Sequence, residues 1–142
     1  MKHDITNELI EVMFNISRVM KEQMSFKNHL MELSVLQIQT LIFLKNSEKV
    51  SMSDIADYLH IELPSATSLV NKLSRQKLVT RKTDKEDKRF VRITITDSGK
   101  SLLDQAITER KTKLQNALSN LSETEKSELL QLLSTLYLRM KN

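Results

Sequence analysis

Only one glycine, Gly99, and one proline, Pro64, occur in the 142 residues of this chain. With so few positions that readily take a positive φ or lock a turn, the backbone lacks the corners of a many-stranded sheet, and long helices are the expected outcome. Hydrophobic residues make up 39% and charged residues 28%, proportions of a chain that buries one core and unlike those of a disordered or membrane protein. A mostly α fold follows, with residues 1–142 forming a single domain.

The apolar spacing supports that reading. Ile5, Leu9, Val12, Met13, Ile16, Val19, Met20 and Met24 recur every three or four residues and predict a first helix with one apolar stripe. Ser34 followed by Gln37 is a capping-box pattern that opens a second helix running to about Lys45, with an apolar body over 35–44. Ser51-Met52-Ser53-Asp54 offers caps for a short third helix ending near His60, and Pro64 marks the start of a fourth that reaches about Gln76. Ala66, Leu69, Val70 and Leu73 are expected on its inner side, with Leu69 and Leu73 as anchors.

From Leu78 the period changes to two. Val91, Ile93 and Ile95 alternate with polar residues, Leu78 to Arg81 supplies an antiparallel partner, and the polar stretch 83–89 is the exposed connection of a hairpin. Thr96 or Asp97 then caps a long fifth helix carrying Leu102, Leu103, Ala106, Ile107, Leu114 and Leu118. Ser122 with Glu125 opens a sixth carrying Leu129, Leu133 and Leu136.

Several chemistries have no residues to run on. The chain has no cysteine, so disulfides, thiolate metal sites and thiol redox sensing are excluded, in keeping with a cytoplasmic location. His3, His29 and His60 stand isolated, and one glycine cannot build a phosphate-binding loop. Neither an enzyme nor a bound cofactor or metal is expected. The amino terminus shows neither a signal-peptide pattern nor a membrane span.

Charge is distributed unevenly. Residues 71–100 hold ten Lys/Arg against four Asp/Glu, a local +6 within a chain of net charge +4. That is the footprint of a nucleic-acid contact, although a solvated charged hairpin has the same composition. Three helices followed by a two-stranded hairpin are the parts of a winged helix-turn-helix over 34–96, in which the last helix enters the major groove. The double-stranded DNA contact is assigned to Ser65, Thr67, Ser68, Asn71, Lys72 and Arg75 on the fourth helix, with Pro64 at its start and Ser51 and Ser53 ahead of the third. Lys85, Lys88 and Arg89 belong to the wing tip; Arg89 suits a narrow minor groove, with Asp87 as its orienting partner. The alternative is a winged-helix protein-interaction module without sequence-specific DNA binding, which would carry apolar anchors where this tip carries cations.

The segment IADYLHIELPSATSLVNKLSRQKLVTR (55–81) and the wing EDKRFVRITITDSGK (86–100) closely resemble the multiple-antibiotic-resistance regulator (MarR) family. The resemblance extends to the leading helix, the long helix after Gly99 and the LSETEKSELLQLL opening of the last helix. It implies a homodimer on a pseudo-palindromic operator, with the fourth helix in the major groove and Arg89 in the minor groove, and repression relieved by a small-molecule effector of unassigned class. His60 and Lys77 stand where the family usually has glycine at helix ends, and Ser68 stands where arginine is frequent.

The terminal segments 1–30 and 97–142 also point to self-association on their own pattern. Ile5, Leu9, Val12, Met13, Leu114, Leu118, Leu129, Leu133 and Leu136 form stripes that a winged helix does not need for its own core. Pairing with a second copy would bury them; folding back onto the winged helix is the competing arrangement.

Overall fold

A computed structural model describes residues 4–23, 25–28 and 31–142. Met24 of the first stripe, together with His3 and His29, lies outside the described residues. The elements are α1 (Ile5–Gln23), β1 (Phe26–Lys27), β2 (Glu32–Leu33), α2 (Val35–Lys45), α3 (Met52–Leu59), α4 (Leu63–Arg75), β3 (Val79–Thr83), β4 (Val91–Ile95), α5 (Asp97–Leu118) and α6 (Glu123–Lys141). The mostly helical winged helix expected from the sequence is therefore present. The chain divides into two compact units, residues 1–107 and 108–142.

Local sequence signals set most boundaries in the first unit. Ser34 accepts from the Gln37 N–H while the Gln37 side chain accepts from the Ser34 N–H, closing the capping box that starts α2. Ser51 and Asp54 form the same reciprocal pair at α3. α4 starts one residue before Pro64, and its cap residue Glu62 makes no side-chain capping bond. Of the two candidates ahead of α5, Thr96 is the cap: its Oγ1 accepts from the Gly99 N–H at 3.0 Å.

Two helix ends are closed by residues other than glycine. α3 ends at His60 (φ 53°) and α4 leads into Lys77 (φ 61°). At each, an i→i−5 bond follows the left-handed residue, from Ile61 to Ala56 at 3.0 Å and from Leu78 to Leu73 at 3.0 Å. This is the Schellman closure, with histidine and lysine in the position glycine usually takes.

The core packs α2, α3 and α4 against the wing and the first turns of α5. Leu33, Leu41, Ile55, Leu73, Leu78 and Leu103 are fully buried there, each contributing on the order of 1.5–3 kcal/mol. β3 and β4 pair antiparallel with Val79 opposite Ile95 and Arg81 opposite Ile93, and Ile93 N–H also donates to the Val50 carbonyl at 2.8 Å. The small β1–β2 hairpin had no periodic signature in the sequence; it pairs Phe26 with Leu33 and buries both under the core.

α1 has no buried residue, and Ile5, Leu9, Val12 and Met13 are all exposed. In the second unit the remainder of α5 turns at Ser119 to Leu121 into α6, which the Ser122–Glu125 capping box opens. α6 also has no buried residue.

Candidate nucleic-acid interface

α4 is held by Ala66, Val70 and Leu73, all fully buried. Its opposite side presents Pro64, Ser65, Ser68, Lys72 and Arg75 to solvent. Leu69 departs from the expected anchor position. At roughly 100° per residue it falls about 60–70° from the middle of the buried stripe, and it is only half-buried. It lines an open cleft of about 360 Å³ with Ser34, Gln37, Ser65, Ser68, Lys72 and Arg75. Val70 and Ala66 take the anchoring place beside Leu73.

Thr67 and Asn71 are half-buried and differ from the outward row. The Thr67 hydroxyl donates back to the Leu63 carbonyl at 3.0 Å, and the Asn71 carboxamide oxygen accepts from Arg81 Nη2 on β3. The floor of the helix is tied down as well, since fully buried Gln37 donates to the Gln76 side chain at 2.9 Å.

The wing tip is organised by Asp84, whose side chain is only 9% exposed. Its Oδ1 accepts from the Glu86 N–H at 2.8 Å and the Asp87 N–H at 3.3 Å, and its Oδ2 pairs with Arg92 Nη2 at 3.1 Å. Those two backbone donors, assisted by the charge of Lys49 and the hydrogen bond from Arg92, hold the Asp84 carboxyl below its ordinary pKa against the opposing effect of burial. The turn closes with Asp84 N–H to the Phe90 carbonyl at 2.8 Å.

On this frame Asp87 Oδ1 accepts from the Arg89 N–H at 3.0 Å and from Arg89 Nε at 3.3 Å. The Arg89 side chain remains 93% exposed. One carboxylate thus orients the guanidinium through its Nε edge without covering it. Lys85 and Lys88 are exposed beside it.

Ser51 is engaged as the α3 cap, its Oγ accepting from Asp54 N–H at 3.1 Å and donating to Asp54 Oδ2 at 2.9 Å. Ser53 is exposed in the first turn of the same helix. Both line a groove of about 430 Å³ with Leu63, Thr67, Arg81 and Arg89, floored by Met52, Phe90, Val91 and Ile93. Asp84, Arg81 and Arg92 are the residues a reading of the sequence misses. An aspartate opening a polar stretch is a turn-former and was a usable signal for Asp84. The two-residue period places Arg81 on the same wing face as Val79. Among the described residues no group of three or more His, Cys, Asp or Glu is placed to hold a metal ion, and no helix is long and apolar enough to cross a membrane.

Comparisons with known proteins show the same fold and a related sequence. A sequence profile of the MarR family matches residues 32–89, from the start of β2 to Arg89. The HTH-type transcriptional repressor YetL of Bacillus subtilis is 27% identical over 135 residues, covering 94% of this chain and 81% of that protein. The solved structure of MepR, a transcription regulator of the Staphylococcus aureus multidrug efflux pump MepA, superposes with a TM-score of 0.81 at 26% identity, covering 91% of this chain and 96% of that one. MepR has also been solved with ethidium bromide bound, and a point mutant of MepR with an oligodeoxyribonucleotide bound. A MarR family protein from Bacillus stearothermophilus shares the fold with a TM-score of 0.82 at 22% identity, covering 100% of this chain and 99% of that one. Over residues 32–89 the chain is similar to the MarR family, and along most of its length it resembles transcriptional regulators from bacteria.

Proposed function

We propose that the protein is a sequence-specific double-stranded DNA-binding repressor that acts as a homodimer on a pseudo-palindromic operator and responds to a small-molecule effector. One observation carries the DNA reading. The outward row Ser65, Ser68, Lys72 and Arg75 lies on a helix whose other side is locked into the core, beside a wing that presents Arg89. A rigid helix with hydroxyls and cations outward suits base edges and phosphates of a major groove, and an exposed, oriented guanidinium suits a narrow minor groove.

The homodimer reading rests on α1 and α6, amphipathic helices that bury nothing within one chain. Ile5, Leu9, Val12 and Met13 on α1, Leu114 and Leu118 on α5, and Leu129, Leu133 and Leu136 on α6 supply apolar area for a second copy to cover. Two copies would offer two recognition helices about 34 Å apart, one turn of DNA. The effector reading takes its support from MepR, solved with ethidium bromide. With no cysteine in the chain, any such effector acts through binding and not through thiol oxidation.

The test is fluorescence anisotropy at fixed salt with a duplex from upstream of the protein's own gene and a scrambled duplex, comparing wild type with Arg89→Ala. Selective binding that weakens by about 1–3 kcal/mol in the variant supports the reading. Equal, weak binding to both duplexes, unchanged by Arg89→Ala, argues for a protein-interaction module; selection of bound fragments from the whole genome, returning no enriched sequence, would decide for it. Sedimentation of a monomer at micromolar concentration would overturn the dimer.

A further inference from the structure

The wing carries Arg81, Arg89 and Arg92, and they differ in what holds them. Arg89 pairs with Asp87 at 3.3 Å and Arg92 with Asp84 at 3.1 Å. Arg81, exposed on β3, makes no ion pair among the described residues. Its Nη2 instead donates to the Asn71 side-chain oxygen on α4. A carboxamide is neutral, so this contact orients the guanidinium and cancels none of its charge. A single bond also leaves most of the donor fork open.

The surroundings favour an anion. Arg81 lines two grooves, one with Thr67 and Arg89 and the other, of about 570 Å³, with Ser74, Arg75 and Lys77. Among the described residues no aspartate or glutamate lines either groove. Arg81 therefore stands between Arg75, on the helix assigned to the major groove, and Arg89, assigned to the minor groove. In a duplex those two grooves are divided by a sugar–phosphate strand. α4 and Arg89 cannot occupy adjoining grooves unless that strand crosses the surface between them, where Arg81 offers an open, unneutralised guanidinium.

We propose that Arg81 binds the phosphodiester strand that separates the two grooves, with Asn71 as the positioning residue that holds its guanidinium in place. The inference rests on the DNA-binding reading above and deepens it. A phosphate is the ligand that suits a planar fork, which can donate to its oxygens in pairs. The contact carries no sequence information; it fixes how α4 and the wing tip are seated relative to one strand.

The experiment takes a duplex that wild type selects from a random library and compares wild type, Arg81→Met, Arg81→Lys and Asn71→Ala by anisotropy at four salt concentrations. Thermal melts establish that each is folded. Arg81→Met should weaken binding on the order of ten-fold without changing the bases selected. It should also make the slope of log affinity against log salt shallower by about 2, one phosphate per copy. Arg81→Lys and Asn71→Ala should lose part of the affinity and keep the wild-type slope, because the charge stays while the fork or its support is lost. Replacing single phosphates by uncharged methylphosphonates locates the contact: one position per half-site should weaken wild type and be silent in Arg81→Met.

A purely structural Arg81 would lower the melting temperature and the affinity at an unchanged salt slope. That result, a changed base preference in Arg81→Met, or the lack of any phosphate silent in that variant would overturn the inference while leaving the regulator reading intact. Wild type that selects no sequence would overturn the operator reading alone, since the slopes can be compared on any duplex. Wild type that binds no duplex would overturn both.

Discussion

Gly99 packs directly beneath the Leu78 carbonyl: a Cβ at position 99 would stand 2.3 Å from that oxygen and 2.8 Å from Ile95 Cγ1. The oxygen is not free to retreat, because it accepts the Thr96 N–H at 3.0 Å, while the Thr96 hydroxyl donates to the neighbouring Lys77 carbonyl at 2.8 Å. The only glycine in the chain therefore sits where the end of α4, both wing strands and the start of α5 converge. Gly99→Ala is expected to destabilise the protein by about 1–3 kcal/mol, since the cost of overpacking exceeds the helix propensity that alanine gains. Urea denaturation checks it; an equal or higher midpoint would mean that this junction yields easily.

Lys77 presents the opposite case. Its φ of 61° is one that a side chain disfavours, and the Schellman bonds around it are backbone bonds that glycine would keep. Lys77→Gly should stabilise the fold by about 0.5–1 kcal/mol, seen as a higher urea midpoint at unchanged m. His60→Gly at the end of α3 should act in the same direction. A lower midpoint for both would place the strain elsewhere.

Asp84 should make the wing acid-sensitive. Its carboxyl is held below the ordinary aspartate pKa, chiefly by the Glu86 and Asp87 N–H groups. The charged form is therefore favoured by folding, and its contribution is fully present above the unfolded aspartate pKa of about 3.9. It is lost as pH falls through the lower, folded value. Wild type should exceed Asp84→Asn in stability by a constant margin above about pH 5, and the margin should narrow as pH falls below about 4. Amide exchange at residues 84–90 should rise in the variant at neutral pH. A margin independent of pH would show that the charge contributes nothing beyond its hydrogen bonds.

Leu73→Ala tests the seating of α4. Leu73 is fully buried and its carbonyl closes the end of the helix by accepting from Leu78 N–H. Truncation should cost about 2–5 kcal/mol through lost burial and the cavity left behind. Leu69→Ala should cost clearly less, because Leu69 is half-buried at the edge of the cleft. Equal losses would mean that the two leucines share the anchoring after all.

The sequence foretold what local chemistry decides. Ser34 with Gln37 and Ser122 with Glu125 close their capping boxes as their spacing predicts, and the switch from a helical to a two-residue period at Leu78 locates the wing. Contacts that depend on distant residues were not legible. The β1–β2 pairing of Phe26 with Leu33 has no periodicity to announce it, since two residues per strand are too few. Leu69 looked like an anchor because helical spacing fixes an angle but not how far the core extends around the helix. Thr67 and Asn71 shared the polar composition of Ser65 and Ser68; the half-burial that distinguishes them was not legible, nor was the tie from Asn71 to Arg81. The stripes on α1 and α6 were visible as stripes, and neither helix buries a residue within one chain.

Salt dependence examines the electrostatic part of the proposed function directly. Lys72 and Arg75 on α4 and Lys85, Lys88 and Arg89 on the wing are exposed cations on the elements assigned to DNA. If about three phosphates are neutralised by each copy, a dimer displaces the counterions of about six, and affinity should fall on the order of 10³-fold between 50 and 200 mM salt. Lys72→Ala should weaken binding to every duplex alike and make the slope of log affinity against log salt shallower by about 2, one phosphate per copy. Anisotropy titrations at four salt concentrations measure both. A flat salt response in the wild type would remove the phosphate contacts from this surface, and a slope left unchanged by Lys72→Ala would remove Lys72 from among them.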